Sequence, residues 1–494
     1  MGAFSGSSAV LHQIFCDALS SLERGALVDP NGQTIYISSN APADLATLSQ
    51  AGALCHRYLK LNDGDVALTN DPYSGGTCLS DFTLVRGIKL FKNSSSIDFL
   101  LVSRISHPPR LPYQTRLDEE GVRVPPTPLV TEAQFNRDLL HAIAAHPLAP
   151  KRLFESIASE LERLEQAVKI LKRLADDPGT LLSAAGIKVY LDDSRRAFES
   201  FLGRLPLGNA TVSQRLKSGK TIKLQLKITE NQVVFDFTGT DSATEFGLTD
   251  LTTFGACWAA LVGSLDASVP ANAGTFQGVH VSAPTKSFLS ASAPTSTTRG
   301  TTEGVAIVGR LVNQALGRLR SSELVASAPA ADGCYQFNFK DGRQCTLWPA
   351  AGQGARADGP GTNAWNFLQP TTQSLSVEII EAQGGLEVLS LGLRKNSGGQ
   401  GKYRGGQGLF IHLRFTSPCE LVWNDRSLGQ NHAGLSGGRA GAPAALEVTR
   451  HGSKKREEHL DPTGRLEFEP GDELIILTGG GGGYGEAVDS EDES

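Results

Sequence analysis

The hydrophobic period of this chain switches near residue 209, and that switch limits the fold more than any other feature. Before it, Leu153, Ile157, Leu161, Leu164, Val168, Leu171 and Leu174 recur every three or four residues with Glu, Lys and Arg between them. This spacing predicts an amphipathic helix of about six turns, stopped by Asp177-Pro178-Gly179. A second helix is expected over 192–202. Beyond 209 the period is two. Thr221 to Ile228 alternates polar and apolar, turns at Glu230-Asn231-Gln232 and resumes as Val233-Val234-Phe235-Asp236-Phe237, which reads as a β-hairpin with one solvated face. Further helices are expected over 250–265 and 303–318. The remainder is Gly-rich and consistent with many short strands joined by tight turns. The expected fold class is α+β, with several antiparallel sheets, an inserted helical hairpin and a Gly-rich β C-terminal region. The regions are 1–150 (mixed α/β), 151–205 (helical hairpin), 206–395 (α+β core), 396–486 (Gly-rich β) and 487–494 (a disordered acidic tail).

The first region is punctuated more finely. Phe15 to Leu22 suits a short helix, 32–37 a strand, and Asp44 to Leu59 a helix with Leu45, Leu48, Ala51, Leu54 and Tyr58 on one face. Two strands are expected over 83–90 and 97–103.

Composition excludes several function classes. A net charge of −6 with scattered basic residues gives no footprint for nucleic acid. No apolar run approaches the roughly 18 residues of a membrane helix. The N-terminus lacks the basic and apolar regions of a signal peptide, so a cytoplasmic location is expected. The seven cysteines are odd in number and never spaced C-x-x-C, which fits reduced thiols rather than a disulfide framework or a zinc ribbon.

The most chemically loaded stretch is Asn70-Asp71-Pro72-Tyr73-Ser74-Gly75-Gly76-Thr77-Cys78-Leu79-Ser80-Asp81. Asn70 and Asp71 can cap a turn whose φ Pro72 presets. Gly75 and Gly76 permit positive φ or close backbone approach. Cys78 and Asp81, three apart, can be aimed at one ligand. Two nucleotide or nucleophile motifs fail on context. Ser218-Gly219-Lys220-Thr221 has Gln214 where a phosphate loop needs glycine, and Lys220 opens a strand. Gly434-Leu435-Ser436-Gly437-Gly438 has no helix-forming sequence behind it, as a nucleophile elbow requires.

This loop resembles the signature of the hydantoinase B/oxoprolinase family, and further segments match in the family's order. They are Glu120-Gly121-Val122-Arg123-Val124-Pro125-Pro126, Asp236-Phe237-Thr238-Gly239-Thr240, Asn272-Ala273-Gly274, Gly354-Ala355-Arg356-Ala357-Asp358-Gly359, Ser397 to Gly408, and Gly480 to Gly485. The resemblance implies a B-type subunit of a hetero-oligomeric, ATP-dependent enzyme. Its A-type ATPase partner subunit binds ATP and phosphorylates a lactam, an enol or bicarbonate, and hydrolysis or carboxylation of a small molecule follows. It implies Asp71, Asp81, His107 and Arg356 as catalytic residues, Arg356 binding phosphate or carboxylate, with Asn70, Tyr73, Gly75, Gly76 and Asn272 contacting substrate. The family's loop usually carries His where this chain has Cys78, and its later His-His-x-x-Asp strand is here Ser103-Arg104-Ile105-Ser106-His107. Cys78, Asp81 and His107 therefore remain as a candidate set for Zn2+. His432 is a further acid/base candidate. A diverged, metal-free scaffold subunit is the alternative.

Overall fold

A computed structural model describes residues 6–22, 24–109, 113, 116–177, 180–216, 218–243, 246–264, 269–319, 325–329, 333–365 and 376–487. The Pro178-Gly179 stop and nearly all of the acidic tail lie outside them. The chain forms two compact units, one drawn from 1–110 and 114–312, the other from 111–113 and 313–494.

The first unit is built on a seven-stranded antiparallel sheet. Its strands are β1 (Gly25–Val28), β2 (Thr34–Ile37), β3 (Val66–Thr69), β4 (Asp81–Ile88), β5 (Phe99–Ser106), β6 (Thr127–Thr131) and β7 (Gln134–Phe135), in the order β2-β1-β5-β4-β3-β6-β7. Both faces are buried, which is why these strands read as apolar runs without alternation. Leu27, Phe82, Leu84, Phe99 and Leu101 face one core, and Ala26, Val28, Val85, Leu100 and Val102 the other. Helix α1 (Ser7–Leu19) and the helices α3 (Leu153–Ala175) and α4 (Ala184–Leu202) cover the first face, and α2 (Asp44–Leu59) covers the second. The two helices expected as a hairpin both form, and each packs on α1, with α3 also lying on β5.

A second sheet follows, with strands β8 (Gly208–Arg215), β9 (Thr221–Ile228), β10 (Val233–Asp236) and β11 (Val279–Ser282) in the order β11-β10-β9-β8. Alternation along β9 is kept, with Ile222, Leu224, Leu226 and Ile228 buried between exposed or part-exposed polar residues. The β10–β11 pair is parallel, and helix α5 (Asp250–Gly263) lies in the connection between them. Helix α6 (Val305–Leu319) is preceded by a π-helical turn at Gly300–Gly304.

The second unit is β-rich. One antiparallel sheet joins β12 (Cys334–Phe339), β13 (Gln344–Leu347), β16 (Cys419–Asn424) and β19 (Thr463–Phe468). The other joins β14 (Leu386–Leu393), β15 (Leu409–Phe415), β17 (Ala445–Thr449), β18 (Arg456–His459) and β20 (Glu473–Leu477). They share one core, in which the Phe415 and Phe468 rings stack at 4.0 Å. The glycine segments pack backbone against backbone. A Cβ at Gly481 would lie 1.9 Å from the Gln353 carbonyl, while Gly481 N donates to Gly406 O and its own carbonyl accepts from Gly399 N. Their glycine content is thus a packing requirement.

Candidate functional site

The Asn70–Asp81 loop is a rigid, buried bend between β3 and β4. Asn70 pins it to the segment 122–124, donating from Nδ2 to Leu79 O and Val122 O, both at 2.8 Å, and accepting Val124 N on Oδ1 at 2.7 Å. Asp71 caps the short 3₁₀ turn Pro72–Ser74, accepting from Tyr73 N and from the Ser74 hydroxyl. Gly75 has φ 90° and would place a Cβ 2.4 Å from Ala51 N, while a Cβ on Gly76 would meet Asp71 O at 2.7 Å. Only glycine fits either position. The residues expected to bind substrate are therefore mostly holding the loop: Asn70, Gly75 and Gly76 are committed to its backbone. Asn272 is committed elsewhere, capping Gly274 and donating to Ser194 Oγ.

Docking of 120–124 beside the loop brings together four groups: Asp71, Tyr73, Glu120 and Arg123. Arg123 Nη2 donates to Asp71 Oδ2 at 2.7 Å, with the carboxylate buried and the guanidinium half exposed. The Tyr73 hydroxyl donates to Thr295 O at 2.8 Å. Burial, and then the charges of Glu120 and Asp71, push the Tyr73 phenol up. Glu120 Oε1 accepts the Ser296 hydroxyl and the backbone N–H groups of Thr297 (2.8 Å) and Thr298 (2.7 Å), while buried Oε2 has no hydrogen-bond partner. Burial raises the Glu120 pKa, outweighing the hydrogen bonds from Ser296, Thr298 and Thr297 that stabilise its anion. The fold thus favours the protonated form of Glu120 more than water does. Glu120 and Arg123 were missed as site residues although their Glu-Gly-Val-Arg segment is a family match. A short-range reading has no means of placing 120–123 beside 70–73.

Behind the loop lies an ionic lock. Arg24 clamps Asp44 bidentately (2.7 Å twice) and reaches Asp81 at 3.2 Å. Arg104 binds Asp44 at 2.6 Å, Thr47 at 2.7 Å, Thr83 at 2.9 Å and the Gly75 carbonyl at 2.9 Å. Burial opposes ionisation of Asp44, but the two guanidiniums dominate and hold its pKa at about 2. The partners differ. Burial opposes both guanidinium charges; Arg24 is nonetheless raised by Asp44 and Asp81, whereas burial, with Arg24 as a like charge nearby, leaves Arg104 lowered.

The candidate zinc ligands Cys78, Asp81 and His107 each have hydrogen-bond partners of their own. Burial pushes the Cys78 thiol well up, and its sulfur lies 3.2 Å from Ser80 Oγ. Asp81 Oδ2 is taken by Arg24 and by Thr77 Oγ1 (2.5 Å). Burial holds the His107 imidazole below its ordinary value, with Nδ1 on the Ser80 carbonyl (3.1 Å) and Nε2 on Ser156 Oγ (2.9 Å). Both ring nitrogens of His107 are engaged. Among the described residues no group of three or more His, Cys, Asp and Glu side chains is placed to hold a metal ion. Arg356 belongs to the second unit, where it is exposed and pairs with Asp358 at 3.3 Å. His432, also in that unit, is buried and its backbone bridges to Gly441.

The hydantoinase B/oxoprolinase family model matches residues 24–487. The chain belongs to that family. A relative in Methanocaldococcus jannaschii, itself uncharacterized, is 26% identical over 93% of this chain and 84% of its own length. 5-Oxoprolinase 1 of Arabidopsis thaliana is 25% identical over 94% of this chain, which spans 39% of that longer protein. Among solved structures, the ATP-dependent caprolactamase of Pseudomonas jessenii superposes with a TM-score of 0.85 at 20% identity, covering 97% of this chain and 90% of that one. Acetone carboxylase follows with 0.76 at 14% identity, covering 98% and 74%. These two likenesses establish a shared fold. No helix among the described residues is long and apolar enough to cross a membrane.

Proposed function

We propose that this chain is the B-type subunit of an ATP-dependent, hetero-oligomeric enzyme that opens a cyclic amide activated by an A-type ATPase subunit. The observation that carries the reading is the Asp71–Tyr73–Glu120–Arg123 cluster, built from two family-matching segments within a family fold. An arginine-paired carboxylate and a buried carboxyl whose pKa is raised occupy one locality, and a raised carboxyl suits a group that must hold a proton. Asp71 orients the cluster, and Glu120 is the proton-holding group. An amide is a poor electrophile with a poor leaving group until phosphorylated, so coupling to ATP supplies what binding energy alone does not.

The test is coexpression with an A-type subunit, followed by ATP hydrolysis assays with 5-oxoproline and caprolactam as probes. Lactam-dependent ADP release that needs both subunits is expected. A stable complex with no lactam turnover that instead carboxylates acetone would move the chain to the carboxylases. A scaffolding role is the second reading, favoured by the commitment of Cys78, Asp81 and His107 to internal hydrogen bonds. It requires that Glu120→Gln in the complex leave turnover intact.

A further inference from the structure

Arg123 has an arrangement that a solvated salt bridge does not need. Its partner Asp71 is itself immobilised: Oδ1 accepts from Tyr73 N at 3.1 Å and Oδ2 from Ser74 Oγ at 2.8 Å. The segment carrying Arg123 is fixed on either side through the Asn70 bonds to Val122 O and Val124 N. The Arg123 side chain nevertheless remains 48% exposed against 3% for Asp71. A guanidinium has five N–H donors in a planar fork. One is used by Asp71, and Arg123 has no other hydrogen-bond acceptor among the described residues. An edge of the fork thus keeps N–H donors without a protein acceptor, on a side chain already anchored at Asp71. Such an edge matches two oxygens of one anion.

Building on the function proposed above, we propose that Arg123 recognises an oxyanion on the substrate, with Asp71 as its positioning residue. Two sources share this chemistry. One is a carboxylate borne by the cyclic amide, and the other is the phosphoryl group added on activation. Arg356, the residue expected from the sequence to do this, lies in the second unit and pairs with the exposed Asp358, so it lacks a buried positioning partner.

Calorimetric titration of the purified chain with 5-oxoproline and with inorganic phosphate tests the site without relying on turnover. The wild type is expected to bind at least one of these anions, and Arg123→Gln to bind it at least tenfold more weakly. Because Arg123→Gln strands the buried Asp71 charge, Arg123→Lys is the control. Lysine keeps the pairing and the melting temperature but offers a point charge instead of a free fork edge, so its anion affinity is expected to stay at least tenfold down. Failure of the wild type to bind either anion, or wild-type affinity in Arg123→Lys, overturns the proposal. In the two-subunit complex, a raised KM for 5-oxoproline but not for caprolactam assigns the carboxylate, and a lowered kcat for both assigns the phosphoryl group. A complex inactive on every lactam, with Arg123-dependent anion binding retained, refutes the lactam reading and leaves this site standing.

Discussion

Glu120 and Asp71 lie in the same small region with opposite environments. Glu120 Oε1 collects three donors, so Glu120→Ala leaves them unmet and is expected to cost about 3 kcal/mol in chemical denaturation. Glu120→Gln keeps the three acceptor bonds and removes the ionisable proton. The folded acid titrates above its ordinary value of 4.5, so the native state binds the proton more tightly. Stability from this group is therefore full below about 4.5 and declines as pH rises from there through the raised folded pKa. Glu120→Gln is accordingly expected to melt higher than the wild type at pH 8, with the advantage gone at pH 4. Equal melting curves at both pH values would mean that the carboxyl is not held neutral. Asn70 and Asp71 were legible as turn residues because that chemistry is local, while their expected place in a site, like that of Tyr73, came from the family resemblance. Glu120 and Arg123 were not, since their place beside that turn depends on pairing across about fifty intervening residues.

Between elements, the lock formed by Asp44 on α2 with Arg24 beside β1 and Arg104 on β5 fixes the helix to the sheet directly behind the loop. Asp44→Asn leaves two buried guanidiniums facing a neutral amide and is expected to cost about 3–5 kcal/mol. The folded Asp44 pKa lies at about 2 against 3.8, so its contribution is complete above about pH 4 and is lost as pH falls through 2. It is expected to account for about 2 kcal/mol of acid sensitivity, read from the difference in stability between pH 5 and pH 2 in wild type and Asp44→Asn. Gly75→Ala combines a strained φ with a backbone clash at Ala51 and is expected to lower stability by about 3 kcal/mol. A wild-type denaturation midpoint in that variant would contradict the close approach. Helices α2 and α3 were readable to within a residue or so, because their apolar stripes follow one face. By contrast, α1 begins well before its expected start and β1 was missed. With both faces of the sheet buried, hydrophobicity there carries no period to read.

For the molecule as a whole, the α+β class and the Gly-rich β region followed from period and composition, while the division into two units at 312–313 did not. Helix α6 runs through that boundary as one uninterrupted apolar pattern, and nothing local marks the change of core. The hydrogen bonds that engage Cys78, Asp81 and His107 were not legible for a related reason. Spacing placed Cys78 and Asp81 on one turn, but whether their polar atoms point together or into separate hydrogen bonds is decided by Arg24, Ser80 and Ser156, which lie elsewhere in the chain or compete locally. We propose that this chain works on a substrate activated by ATP bound to another subunit. The most direct measurement is ADP release in the presence of lactam by the chain alone, by an A-type subunit alone and by the two combined. Release is expected only from the combination, and Glu120→Gln is expected to lower it at least tenfold. Equal release from the A-type subunit without this chain, or unchanged release with Glu120→Gln, would contradict the claim that this subunit takes part in the chemistry.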